Sequence, residues 1–254
     1  MKLPTFLRKR REPFRLAMKS GPGAGQRTRF ILYFVGAAAA LASAVTLMVL
    51  GAIEKLGLPT RVLVPVWFVV SVGGAFFLLQ RMERHANAAA AERKVGLRLD
   101  NFERSSCRVV HDFPGVGANG KKFNIDHVLV APEGVFAIET KYVSKSEGLD
   151  PKIEYKADGL YLYGRKMRGD PVAQSLLCAS DLQRFLKNKG FNVSVQPVVI
   201  IPGWYIEGRG AGRGGPWVLE LKAFDKWVEK QPKIFAKEEI QQIHYCLREV
   251  AERE

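Results

Sequence analysis

Two long apolar runs dominate the first third of the chain. From Phe30 to Ile53 there is no charged residue, and from Val62 to Leu79 there is none again. An apolar helix of about 18 to 25 residues is what crosses a bilayer core, so the pattern predicts a transmembrane hairpin at 30–79, with helices at 30–53 and 62–79. A cleaved signal peptide is the competing reading, with Ala42-Ser43-Ala44 as the small-residue site. The run continues past that site through Val45 to Leu50, however, and a long basic segment precedes it. A core hairpin in a soluble protein is also disfavoured, because only EKLGLPTR separates the two runs. Gly36, Ala37 to Ala40, Ser43 and Ala44 on one span and Gly73, Gly74 and Ala75 on the other are small enough for close helix packing.

Beyond Leu79 the periodicity changes. QRMERHANAAAAERKVGLRLDNF is rich in helix formers, with Val95, Leu99 and Phe102 at helical spacing. It predicts a linker helix at 80–90 leading into a domain at 91–254. Strand patterns follow at Cys107 to His111, Ile125 to Val130 and Val135 to Lys141, then a hairpin of Lys152 to Lys156 and Leu160 to Tyr163 around Ala157-Asp158-Gly159. Asp170-Pro171 starts a helix, with Asp170 as N-cap and Pro171 in the first turn, and Gly190 ends it. Val193 to Ile201 reads as a buried strand and Trp217 to Leu221 as a last one, before helices near Ala223 to Lys230 and Lys237 to Glu252. Strands flanked by helices without regular alternation predict a mixed α/β domain of ordinary size.

Charge alters this picture mainly at the N-terminus. Of the net +14, residues 1–29 hold +8 and residues 30–79 hold +1, leaving +5 for the rest. Most of the basicity therefore reports topology rather than a nucleic-acid surface, and Arg27 and Arg29 before the first span with Arg81 and Arg84 after the second predict both termini in the cytoplasm. The expectation is a multi-pass protein of the inner (cytoplasmic) membrane whose basic arm, 1–29, lies on anionic lipid headgroups. Neither span carries a charged residue that would suggest transport. Cys107, Cys178 and Cys246 are odd in number and in no paired spacing, which points to a reducing compartment and away from a disulfide framework or zinc. His85, His111, His127 and His244 are scattered and read as surface or structural residues. The glycine-rich EGRGAGRGG, Glu207 to Gly215, reads as a surface connection before a phosphate-tracking loop.

One strand pair carries charges that a buried sheet does not want. In FNIDHVLVAPEGVFAIETKYV, Asp126 lies on one strand and Glu139, Thr140 and Lys141 end the next. A turn at Ala131 to Gly134 sets Asp126 opposite Glu139; a reversal at Glu133-Gly134 alone sets it opposite Lys141. Alternation puts Glu139 and Lys141 on one face in either register. Two converging carboxylates repel unless a cation lies between them, and Mg2+ prefers such oxygen ligands, to which the Thr140 carbonyl would add another. A lysine beside that ion would stabilise charge developing on phosphate. A cross-strand ion pair at a sheet end is the plainer alternative.

The same residues resemble a known family. Asp126 to Val130 followed by Pro132-Glu133-Gly134-Val135-Phe136-Ala137-Ile138-Glu139-Thr140-Lys141 resembles the core of the NERD, or nuclease-related, domain, of the PD-(D/E)XK restriction-endonuclease-like superfamily. Glu92-x-x-Val95-x-x-x-Leu99 resembles its opening helix, and Asp170-Pro171-x-x-Gln174 its Asn-Pro-x-x-Gln helix start. The likeness spans roughly residues 91–201, with Ala91 where the family commonly has Gly and Asp170 where it has Asn. It implies an α/β fold, a mixed sheet flanked by helices, with a divalent metal, Mg2+ or Mn2+, on Asp126 and Glu139. It further implies Lys141 in catalysis and Glu92 and Gln174 at the edge of the site.

The expected function is therefore a membrane-anchored, metal-dependent nuclease that hydrolyses phosphodiester bonds of DNA or RNA. The alternative is a catalytically silent module that binds nucleic acid or protein. A third reading, in which the hairpin is the functional part, lacks polar residues in the spans to support it.

Overall fold

The computed structural model describes residues 35–43, 45–46, 58–101, 106–116, 120, 122–145, 148–208 and 215–252. The described residues fall into two compact units, one ending at Ala89 and one beginning at Ala90.

In the first unit, residues 35–43 are helical and a helix α1 begins at Leu58. Small residues are packed inside it: Ala37 and Ala75 are buried, and a side chain added at Gly36 would meet Leu78 at 3.4 Å. Among the described residues no helix is long and apolar enough to cross a membrane. The hairpin expected at 30–79 is thus not supported, and much of it, including most of the 30–53 run, lies outside the described residues, as does the basic arm 1–29. The linker helix expected at 80–90 is not a separate element either, because α1 (Leu58–Asp100) runs unbroken through it. No Pro interrupts the chain between Pro65 and Asp100, and residues 86–95 are dominated by Ala, Glu, Arg and Lys, all strong helix formers.

The second unit is built on two sheets. β1 (Arg108–Val116), β2 (Lys122–Ala131) and β3 (Gly134–Thr140) form an antiparallel meander. β4 (Lys152–Lys156), β5 (Gly159–Leu162) and β6 (Arg165–Lys166) follow, then the helix α2 (Pro171–Asn188). β7 (Val195–Ile200), β8 (Tyr205–Gly208), β9 (Trp217–Leu219), α3 (Leu221–Glu229) and α4 (Lys237–Ala251) complete the order. The large sheet runs β1-β2-β3-β7-β9, with β3, β7 and β9 parallel, and the small sheet runs β6-β5-β4-β8. This is a mixed α/β fold with mixed sheets flanked by helices.

Helices cover both faces of the large sheet. Val128, Val130, Val135 and Ala137 pack against Leu182 and Leu186 of α2 and Ile240, Ile243 and Leu247 of α4. Leu129, Phe136 and Ile138 pack on the other face against Val95 and Leu99 of α1 and Phe224 and Val228 of α3. Every residue of β3 is therefore buried, as strands covered on both faces are. A third core, of Ile153, Leu160, Val199, Ile201 and Trp204, seats the small sheet beside the C-terminal ends of β3 and β7. Asp170 caps α2 as expected, its carboxylate accepting from the Ala173 N–H at 3.0 Å.

Candidate functional site

The hairpin register decides where the charges go. Val130 pairs with Val135 and Ala131 with Gly134, so Pro132 and Glu133 alone form the reversal. The ladder is recorded as far as His127 with Ile138, and one further step sets Asp126 opposite Glu139. That is the first of the two registers open from sequence, and the second, with Lys141 opposite Asp126, is not formed. Gly134 makes the turn possible, with φ +147, a conformation costly for any side chain.

β1 adds a residue that sequence reasoning missed. His111 pairs with His127 and Phe113 with Ile125, which places Asp112 directly opposite Asp126. Asp112, Asp126 and Glu139 thus occupy one row across three neighbouring strands. Asp112 has φ +50, a left-handed backbone that aspartate tolerates better than most residues. The strand pattern in the sequence ends at His111, because Phe113-Pro114-Gly115 does not look like a strand, and it does not reach Asp112.

The chemistry of the row follows from burial. Glu139 is 7% exposed and one of its carboxylate oxygens, Oε2, has no hydrogen-bond partner. Burial, then the charge of Asp126, pushes the Glu139 carboxyl well above its ordinary range, against the opposing pull of Lys141. Burial likewise raises Asp126, to about 7, although the Thr140 N–H donates to its Oδ2 at 2.7 Å and stabilises the ionised form. Asp112 raises it further, while a side-chain hydrogen bond with Glu92 and the charge of Lys141 lower it. A carboxyl–carboxyl hydrogen bond needs one proton between Glu92 and Asp126. α1 therefore brings Glu92 to Asp126 in the middle of β2.

Lys141 leaves β3 with its N–H bonded to the Ile200 carbonyl at 2.9 Å, which fixes the backbone beside the two carboxylates. Its Nζ lies 3.7 Å from where a side chain on Gly169 would begin, close to the start of α2. Gln174 is exposed on the first turn of that helix, and among the described residues no side-chain hydrogen bond ties it to the cluster. Cys178, one turn further on, faces the row instead: burial and the charges of Glu139 and Asp126 push its thiol up to about 12. No local sequence signal marks it, because only the packing of α2 against β3 turns it toward the row. Thr140 contributes its N–H to Asp126, and its buried hydroxyl has no hydrogen-bond partner.

The histidines next to the row are structural. His127 Nδ1 lies 2.8 Å from His111 Nδ1, and His111 Nε2 lies 2.9 Å from Asp100. Burial holds His127 well below its ordinary range, so it stays neutral. None of the three cysteines is in a disulfide. Among the described residues no group of three or more His, Cys, Asp or Glu side chains is arranged to hold a metal ion.

The cluster does fit a divalent ion in its donor chemistry. It offers carboxylate oxygens only, the type a hard cation such as Mg2+ or Mn2+ prefers. It also holds a buried carboxylate oxygen without a partner, on Glu139, whose ionisation the charge of Asp126 opposes.

No curated protein and no solved structure gave a match to this chain. The comparison with family models did: residues 87–202, from the C-terminal part of α1 to just beyond β7, match NERD, described as a nuclease-related domain.

Proposed function

We propose that the domain is a metal-dependent nuclease that cuts phosphodiester bonds, with Asp126 and Glu139 as the metal-holding side chains. The observation that carries this reading is the buried pairing of Asp126 with Glu139 next to Lys141, which has no structural advantage unless a cation or a phosphate uses it. The nuclease-related family match supports the same class of chemistry.

The bound ion would supply Lewis-acid polarisation of a phosphoryl oxygen and a more acidic water. The chain's own residues do the rest. The Thr140 N–H orients Asp126, and its carbonyl is a candidate further oxygen ligand. Lys141 offers a positive charge to the phosphate as negative charge builds on it. Glu92 shares a proton with Asp126 and sets how readily that carboxylate becomes available. Asp112 adds negative charge to the row from β1 and strengthens the demand for a cation.

The test is incubation of the full chain with labelled single- and double-stranded DNA and RNA, with and without Mn2+, beside Asp126→Asn. Cleavage that needs both the metal and Asp126 supports the proposal. The second reading, a silent binding module, is favoured because among the described residues no three His, Cys, Asp or Glu side chains are arranged to hold a metal ion. Binding without cleavage under every condition would select it.

Membrane attachment on the cytoplasmic side belongs to the same proposal and rests on exposed apolar side chains. Val35, Val45, Val69, Val70, Phe76 and Phe77 of the first unit are each more than half exposed, which is costly in water. Carbonate extraction of membranes tests it: release into the soluble fraction would remove the anchor.

A further inference from the structure

The two-residue turn between β5 and β6 carries the wrong residue for its shape. Leu162 pairs with Arg165, leaving Tyr163 and Gly164 to reverse the chain with φ +50 and +74. Two positive φ angles define the type I′ turn, where Asn-Gly is the favoured pair because a bulky side chain is strained in the first position. Tyr163 takes that position with its side chain 40% exposed. Local turn chemistry does not account for an aromatic residue there, and strained backbone held against preference is a mark of functional sites.

The surroundings say what the ring is for. Tyr163 rests against the buried Trp204, ring centroids 6.2 Å apart, and the Trp204 Nε1–H donates to the Val143 carbonyl at 3.0 Å. Val143 is two residues beyond Lys141, so the tyrosine is braced on the segment that leaves the carboxylate row. Across the small sheet, Ile153 pairs with Leu162 and Lys152 with Tyr205. One further step of that register sets Tyr163, Lys152 and Tyr205 in a single row, two strand spacings or about 10 Å from end to end. Tyr205 is 65% exposed.

Charge completes the surface. Lys152, Lys156 and Lys166 are matched by Glu207, Glu154 and Asp158. Arg165, Arg168 and Lys145 are exposed and enter no salt bridge among the described residues. Arg168 immediately precedes Gly169, which lies against Lys141 Nζ, and Lys145 Nζ lies 3.5 Å from where a side chain on Gly203 would begin. Exposed aromatic rings among unmatched cations suit a strand whose bases are free to stack and whose phosphates need neutralising. A duplex hides its base faces, and the modest net charge of residues 80–254 is a weak footprint for one.

We infer that the β4-β5-β6-β8 sheet is a single-strand nucleic-acid platform: Tyr163 and Tyr205 stack on unpaired bases, while Arg165, Arg168 and Lys145 hold the phosphates and lead the strand to Lys141. This deepens the nuclease reading and rests on it for the direction of the strand, but the platform binds whether or not the site cuts. The test is binding of a fluorescent oligo-dT to the full chain in chelator, followed by anisotropy, with oligo-U and a DNA duplex of equal length as further arms. Tyr163→Asn suits the I′ turn and should melt no lower than the parent, while binding oligo-dT about tenfold or more weaker. Tyr163→Phe keeps the ring and should bind like the parent. Arg168→Ala should reduce the slope of log affinity against log salt by roughly 0.7, one phosphate contact. Undiminished binding by Tyr163→Asn, or duplex binding tighter than single-strand binding, overturns the platform. Binding that follows these expectations in a chain that never cleaves leaves the platform standing and removes the nuclease.

Discussion

The two sheets of the second unit carry acids that behave in opposite ways. In the large sheet, Asp126 and Glu139 are desolvated and pushed above their ordinary range. In the small sheet, hydrogen bonds from Lys156 and Tyr161 pull Glu154 and Asp158 below theirs, in side chains open to solvent. The residue types are the same and lysines are near in both. What differs is the covering of the sheet: helices close both faces of β3, while the outer residues of β4 to β6 face water. Acids that repel each other in a buried strand cost stability, whereas acids paired at a surface cost almost nothing. The buried set is therefore where a ligand has free energy to gain.

The largest break in this comparison should come at Asp126. Asp126→Asn is expected to lower Mn2+-dependent cleavage by about 10³-fold, because the metal loses a ligand and the transition state its charge stabilisation. Stability should move the other way. A carboxyl whose folded pKa lies near 7 and whose unfolded pKa lies near 4 binds more protons folded than unfolded between those values. The folded state is thus progressively disfavoured as pH rises from about 4 to 7. Asn cannot ionise, so at pH 8 in chelator the variant should be as stable as the parent or more so, by up to roughly 2–4 kcal/mol. Thermal melts of both proteins at pH 5 and pH 8 in chelator check the sign, and a parent that gains stability on raising the pH contradicts it. Millimolar Mn2+ should raise the melting temperature of the parent and not that of the variant.

Next in size is Lys141. Its charge opposes the upward shift of both Asp126 and Glu139. Lys141→Met should lower cleavage by about 10²-fold. It should also move the rising, acidic limb of the pH–rate profile to higher pH, since two carboxylates lose a common counter-charge. A loss of rate with an unmoved limb would assign Lys141 to the phosphate alone.

Much of this was legible in the sequence, and the parts that were not share a cause. The strands, the helix started by Asp170-Pro171 and the convergence of Asp126, Glu139 and Lys141 all follow from local signals: alternation, a cap, a turn. Asp112 was hidden because its role depends on pairing with a strand that begins ten residues further on. Cys178 faces the row through helix packing, which no local pattern specifies. The small sheet's parallel pairing of β4 with β8 joins residues more than fifty positions apart, so the row of Tyr163, Lys152 and Tyr205 had no sequence signature. The apolar runs before residue 80 are the opposite case. Their composition is plain, yet among the described residues it yields no helix that would cross a membrane.

A smaller effect is expected at Gln174. The resemblance places it at the site, while the structure leaves it exposed at the start of α2, near the end where Lys141 Nζ lies. If its amide orients a phosphate, Gln174→Ala should slow cleavage about fivefold, the worth of one ordinary hydrogen bond. The melting temperature should hold, because an exposed side chain in a first turn adds little to packing. Unchanged cleavage would confine the site to the strands and Glu92.

The smallest effect should be at Glu154, the surface counterpart of Glu139. Its pKa is depressed, so whatever stability it contributes is present above the unfolded value and is lost as pH falls through the folded one. Once the pH has fallen below that depressed folded value, the pair with Lys156 contributes nothing. Above it the contribution is screened, since both side chains are exposed and the Debye length at physiological salt is only about 8 Å. Glu154→Gln should leave the melting temperature within measurement scatter from pH 5 to pH 8. Glu139→Gln, by contrast, should raise it in chelator as the pH increases, for the reason given for Asp126. The two substitutions remove the same charge by the same chemistry, so the difference between their pH dependences measures what burial does. Matching profiles for the pair would mean that Glu139 is as well solvated as Glu154, and the case for a cation between Asp126 and Glu139 would go with it.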